Sequence, residues 1–210
     1  MTNILLFRWR NILQPFGIEP RLIDRAFKQV IDAYSTPNRY YHTLKHIEHI
    51  LATIDSLQTY TQDLISVQLA AWLHDIVYDT RAQDNEEKSA EYADDLLSNL
   101  GLPINNIATV KRLILNTKQH QTTADDWDGK VLLDADLAIL AVNSIQYQEY
   151  AQAIRQEYAW VPEAEYIKGR RQILERFLQR QRLYFTPLML EVAEASARAN
   201  LQAEIKILNV

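Results

Sequence analysis

Cysteine is absent from the 210 residues. The chain therefore has no disulfide, no thiolate nucleophile and no cysteine-ligated zinc, and any metal or acid–base chemistry falls to histidine and carboxylate. Glycine and proline are scarce, at four and six residues. The prolines sit at the edges of periodic segments, which favours helices joined by short loops over sheets. A basic block is also missing. The net charge of −5 is spread along the chain, so neither a nucleic-acid surface nor an anionic membrane is expected as partner. No uninterrupted apolar run approaches the length needed to span a bilayer. The start, Ile4-Leu5-Leu6-Phe7, runs at once into Arg8, Trp9 and Arg10 with no small-residue cleavage site, and reads as an amphipathic first helix, Met1 to Leu13. A cytoplasmic protein is the expectation.

What is present is enough for one core. With 48% apolar residues, a chain of this length is expected to form a single domain, 1–210, of all-α class, a helical bundle. The spacing predicts a second helix from Pro20 to about Tyr34 and a third led in by Arg39-Tyr40-Tyr41 and ending near Leu57. A fourth follows from about Asp63 to Val77 and a fifth from Asp84 or Asn85 to Leu100, stopped by Gly101. The sixth runs from about Pro103 to Lys118 and the seventh from Val131 to Val142. Two or three more helices, rich in Arg and Tyr, fill Ser144 to Asn209. Thr122 to Gly129, with Asp125, Asp126 and Asp128, reads as a solvated loop whose spacing does not match an EF-hand.

Chemistry concentrates in three places. His74-Asp75 closes the apolar run Ala70-Ala71-Trp72-Leu73, where an imidazole beside a carboxylate suits a divalent ion. Upstream, His42, His46 and His49 stand at i, i+4 and i+7, near one face of the third predicted helix, and at least one is expected to ligate. Downstream, Asp134 and Asp136 interrupt an apolar helix. Residues two apart point to nearly opposite sides, so one is a ligand candidate and the other needs a different partner, such as an arginine from the last third. Lys118 and His120, at the end of the sixth helix, suit the helix dipole and equally a phosphate-binding rim. Glu86 and Glu87 suit the first turn of the fifth, and either could orient a ligand or a water.

The pattern His46-Ile47, Leu73-His74-Asp75 and Ala135-Asp136-Leu137 resembles the HD superfamily of metal-dependent phosphohydrolases. More narrowly, Arg39-x-Tyr41-His42-x-x-x-His46-Ile47, Asp84-Asn85-Glu86 with Ser89-Ala90, and Leu133 to Leu140 resemble a bacterial group of HD phosphohydrolases. Tyr41-His42-x-x-x-His46 is also similar to the start of the cyclic-nucleotide phosphodiesterase signature, with Thr43 where those enzymes have asparagine. The resemblance implies His46, His74, Asp75 and Asp136 as ligands of a divalent transition metal (Mn, Fe, Co, Ni or Zn ahead of Mg), with His42 and Asp75 catalytic. It implies hydrolysis of a small phosphorylated or nucleotide-like substrate by a metal-activated water, with protonated His42 donating to the leaving oxygen. Arg39, Lys118, His120 and Arg155 are the candidates to hold phosphate oxygens. Two other readings stay open. One is a di-iron HD-type oxygenase drawing on His42, His49 and His120; the other is a non-catalytic, metal-stabilised module that binds a nucleotide or a partner.

Overall fold

A computed structural model describes residues 2–209, so Met1 of the expected first helix lies outside the described residues. Among the described residues the chain is all-α, with eleven α-helices, three short 3-10 segments and no strand. In order, they are α1 (Thr2–Leu13), α2 (Pro20–Tyr34), α3 (Leu44–Leu57), α4 (Leu64–Leu73), α5 (Asn85–Asn99), α6 (Ile104–Thr117), α7 (Trp127–Asp136), α8 (Ser144–Glu157), α9 (Glu163–Gln179), α10 (Pro187–Val192) and α11 (Glu194–Leu208). None is long and apolar enough to cross a membrane.

Helix α4 is the axis of the fold. Its residues Ser66, Val67 and Leu69 to Leu73 are all buried, as a helix apolar on every side must be. Trp72 meets Trp9 of α1 edge-on at 5.4 Å and Phe27 of α2 at 6.1 Å, which fastens the first two helices to the centre. Helices α3, α6 and α7 pack on its other sides. The Asp63 side chain accepts the Ser66 N–H at 3.0 Å and caps the start.

The starts of α4 and α7 are tied together. Asp128, buried in the first turn of α7, accepts the N–H groups of Gln62 at 2.7 Å and Asp63 at 3.1 Å. Both helices are ten residues long, about 15 Å at 1.5 Å per residue, so their C-terminal ends come level. Those ends carry His74-Asp75 and Asp136. Helix α3 runs the other way and brings its first turn, with His46, to the same level.

Several boundaries differ from the sequence expectations, and each difference has a local cause. Helix α3 begins at Leu44, because Thr43 is extended (φ −117°, ψ 179°); His42 therefore lies in the loop before the helix, not on a shared face with His46 and His49. Helix α4 ends at Leu73, and His74 is its C-cap residue, with its N–H still bonded to Ala70 O at 2.8 Å. Helix α7 starts at Trp127, four residues earlier than Val131, because Asp126 caps it by accepting the Gly129 N–H at 3.0 Å. It tightens into a 3-10 segment at Leu137–Ala141. Asp126 and Asp128 are thus structural: Asp126 also takes Arg112, Asn116 and Thr122, and Asp128 is buried in the first turn. Gly101 stops α5 in the left-handed region at φ 79°, as expected.

Candidate metal centre

Three helix ends meet in one buried cluster. His46 Nε2 lies 3.3 Å from His74 Nε2 and 3.4 Å from Asp136 Oδ1, and His74 Nε2 is 3.6 Å from the same oxygen. Each residue offers one ligand atom, and the three atoms lie within 4.8 Å of one another. Asp75 adds Oδ2 at 3.0 Å from His74 Nε2 and 3.8 Å from His46 Nε2. Neighbouring ligands about 2.1 Å from one ion stand roughly 3.0–3.4 Å apart in octahedral or tetrahedral geometry, so this cluster has the spacing of a coordination shell.

The chemistry of the donors fits a cation as well. His74 Nδ1 faces Ala71 O at 3.0 Å; a proton on Nδ1 leaves the Nε2 lone pair aimed at the cluster. Two imidazole nitrogens facing each other beside two carboxylates are well matched to a positive charge shared among them. The balance of burial and charge at the cluster agrees. Burial pulls His74 down, but the Asp75 and Asp136 carboxylates outweigh it and hold it well above its ordinary value. Burial works to raise Asp136, but hydrogen bonds from His120, His46 and His74 hold it well below the carboxylate range. His46 is lowered, chiefly by burial. A proton on His74 stands where an ion would stand. The mixed N/O set suits a divalent transition metal.

Beside the cluster is a second unit. The buried Glu157, at the end of α8, accepts the backbone N–H groups of Tyr40, Tyr41 and His42 at 2.8, 2.8 and 2.9 Å on Oε1. Its Oε2 accepts the Tyr78 hydroxyl at 2.9 Å and faces His42 Nδ1 at 2.7 Å. The loop that carries His42 is thus pinned from 115 residues away. His42 Nε2 then points to Asp75 Oδ2 at 3.7 Å, with Tyr78 packed on the ring at 4.1 Å. Burial lowers His42, but Asp75 and Glu157 outweigh it and leave it raised. Glu157 and Tyr78 had no signal in the sequence, since neither sits in a motif and both act across the fold.

His120 completes the rim. It adopts φ 48°, a costly conformation for a residue with a side chain. Arg180 holds it there through the carbonyls of His120 at 3.1 Å and Gln119 at 2.8 Å. In return His120 Nε2 reaches Asp136 Oδ2 at 3.0 Å. His42, His74, Asp75, His120 and Asp136 all line one cavity of about 550 Å³.

The remaining candidates are placed elsewhere. Arg39 is buried and donates to the carbonyls of His42, Asp75 and Ile76 at 3.2, 2.7 and 2.9 Å, so its guanidinium braces the two motif loops instead of holding phosphate. Arg155 is bound to Glu163 and to the carbonyls of Tyr158 and Val161 and lies over the Tyr166 ring at 4.5 Å, so it does not itself line the cavity. Lys118 pairs with Glu87 and Gln83 O outside it. His49 lines a separate cavity of about 300 Å³ behind His46. Asp134 turns away from Asp136, as the two-residue spacing requires. Its partners are the Thr186 hydroxyl at 2.6 Å and the N–H groups of Phe185 and Thr186 at 2.7 Å, not an arginine. Burial pushes Asp134 up to about 6 against those donors.

Fold and site together define an all-α protein with a buried His/Asp cluster fit to hold a metal ion at the floor of a cavity. No protein-family model, characterised protein or solved structure matches the chain.

Proposed function

We propose that this chain is an HD-superfamily, metal-dependent phosphohydrolase acting on a small phosphorylated substrate. The observation that carries the reading is the juxtaposition of the His46–His74–Asp136 cluster with the His42–Glu157 pair at one cavity wall. A divalent ion held by His46, His74 and Asp136, with Asp75 beside them, would supply Lewis-acid polarisation of a phosphoryl oxygen and a more acidic water.

The chain's own groups account for the rest. Glu157 accepts from His42 Nδ1 and favours the imidazolium, leaving a proton on Nε2 facing the cavity. Water attacks phosphorus, and the bond from phosphorus to the leaving oxygen breaks. That oxygen keeps the bonding pair and takes the proton from His42 Nε2. The attacking water's own proton leaves to solvent, and His42 is reprotonated from solvent, so a phosphomonoester and water give an alcohol and phosphate. Asp75 Oδ2, 3.7 Å from His42 Nε2, keeps the ring aimed. His120 is the one rim candidate from the sequence that lines the cavity, and it is placed to donate to a phosphoryl oxygen.

One observation favours a two-ion variant: Asp136 turns Oδ1 to His46 and His74 and Oδ2 to His120, so its two oxygens face separate groups of imidazole donors that could each hold an ion. The test is to purify the full chain without a histidine tag, measure bound metals, and assay a panel of phosphomonoesters, nucleotides and cyclic nucleotides. Metal-dependent release of phosphate that disappears in Asp75→Ala is expected. Activity surviving in Asp75→Ala, or no metal in any preparation, refutes the reading, and two irons per chain with oxygen consumption replaces it by an oxygenase.

A further inference from the structure

The cavity is much larger than a phosphate needs, and the side formed by α8 and α9 is mostly aromatic and aliphatic. Beyond the histidines and carboxylates of the floor it is tiled by Tyr150, Tyr158, Tyr166, Ile154, Ile173 and Phe177, all from α8, α9 and the turn between them. A volume of about 550 Å³ lies within the roughly 300–1,000 Å³ range of pockets for organic ligands.

Positive charge is absent from that wall in usable form. Among the described residues, Arg170 is the one Lys or Arg that lines it, and its Nε and Nη2 are held by the Glu204 carboxylate at 2.7 and 3.0 Å while Nη1 faces Tyr150 Oη at 3.4 Å. Glu86 and Glu165 line the same cavity and add negative charge. Lys118, Arg176 and Arg180 lie beyond His120 and Phe177 in a neighbouring open groove. Of these, Lys118 is paired with Glu87 and Arg180 is bound to two carbonyls. Arg176 donates only to Gln172 O and lines that groove, not the cavity, so a second phosphate or carboxylate within the cavity would sit among carboxylates with no unpaired cation on its lining.

Resting on the phosphohydrolase reading, we infer that the substrate is a monoester with a single phosphoryl group and an uncharged, apolar or aromatic remainder of about one ring system, seated against α8 and α9. Nucleoside di- and triphosphates are excluded from the class. The aromatic wall favours a ring over a short polyol, because flat apolar surface gains both area burial and face or edge contacts with tyrosine.

Binding of non-hydrolysable probes tests this without relying on turnover. The full chain, with Mn²⁺ added, is titrated with 1-naphthylmethylphosphonate, with propylphosphonate, and with the naphthyl compound carrying a sulfonate on the far ring. The naphthyl compound is expected to bind tenfold or more tighter than propylphosphonate, and the sulfonate to cost tenfold or more. Ile173→Arg, at a position 40% exposed and so able to accept the change without unfolding, is expected to restore the sulfonated probe relative to its parent. Equal binding of naphthyl and propyl probes overturns the inference, as does tighter binding of the sulfonated probe to the natural chain, which would mean that the neighbouring groove's cations serve the site. Absence of phosphatase activity with the expected order of binding would refute the hydrolase reading and leave the wall's preference standing.

Discussion

Replacing Glu157 by glutamine isolates the group that ties the His42 loop to the distant helix α8. The carboxylate collects three backbone N–H groups, the Tyr78 hydroxyl and His42 Nδ1. Burial works to raise its pKa, but the hydrogen bond and charge of His42, with the backbone donors, hold it at about 2 against an ordinary 4.5. A carboxyl displaced by that much contributes about 3 kcal/mol of stability at neutral pH. Glutamine retains an oxygen for the backbone donors but loses the charge and turns an NH₂ toward other donors. Urea unfolding at pH 7 is expected to place Glu157→Gln about 2–3 kcal/mol below the natural chain. Because the folded pKa is depressed, the natural carboxylate's contribution is full above pH 4.5 and is lost as pH falls toward about 2. The gap therefore widens as pH falls through the His42 range, where the natural chain holds the imidazolium that Glu157 favours, and narrows below about 4.5, where Glu157 itself takes up a proton. In parallel, an NMR titration should find the His42 ring losing its proton at lower pH, since burial is then opposed by Asp75 and Asp136 without the Glu157 charge and hydrogen bond. A gap under about 0.5 kcal/mol at pH 7, or one that fails to narrow below pH 4.5, refutes the account.

Two further changes probe the frame that carries the site. Glu204→Ala leaves the Arg170 guanidinium buried and unpaired and should cost about 3–5 kcal/mol, whereas the double change Arg170→Leu with Glu204→Leu should cost far less; equal losses in denaturation curves would contradict a buried ion pair here. Gly129→Ala places a Cβ against Asp126 Oδ2 and Thr122 Oγ1 and must disturb the cap of α7; a loss of about 1–2 kcal/mol is expected, and an unchanged melting temperature would show that the cap yields freely.

How far the site was legible depended on whether its geometry was local. His74-Asp75 could be read because a polar pair at the end of a fully apolar helix is unusual wherever it occurs. The split between Asp134 and Asp136 followed from helical periodicity, and the structure turns the two carboxylates to different sides with Asp136 on the cluster. The shared face of His42, His46 and His49 failed for an equally local reason: the extended Thr43 starts the helix two residues after His42. Arginine was the hardest to place. Arg39 and Arg155 have the chemistry to hold phosphate, yet backbone carbonyls and Glu163 engage them, and which acceptor a guanidinium meets depends on segments far away in the chain.

By itself the sequence determined the class of fold and the floor of the site, because helical period, scarcity of glycine and proline, absence of cysteine and the placing of polar residues in apolar runs are all local properties. Only the tertiary structure decided that two ten-residue helices, tied at their starts by Asp128, end level with His74 and Asp136 together. It alone brought Glu157 to His42 across 115 residues and enclosed an aromatic cavity above them. Distances between side chains on separate helices are set by how the helices pack, and no period in a single segment encodes that.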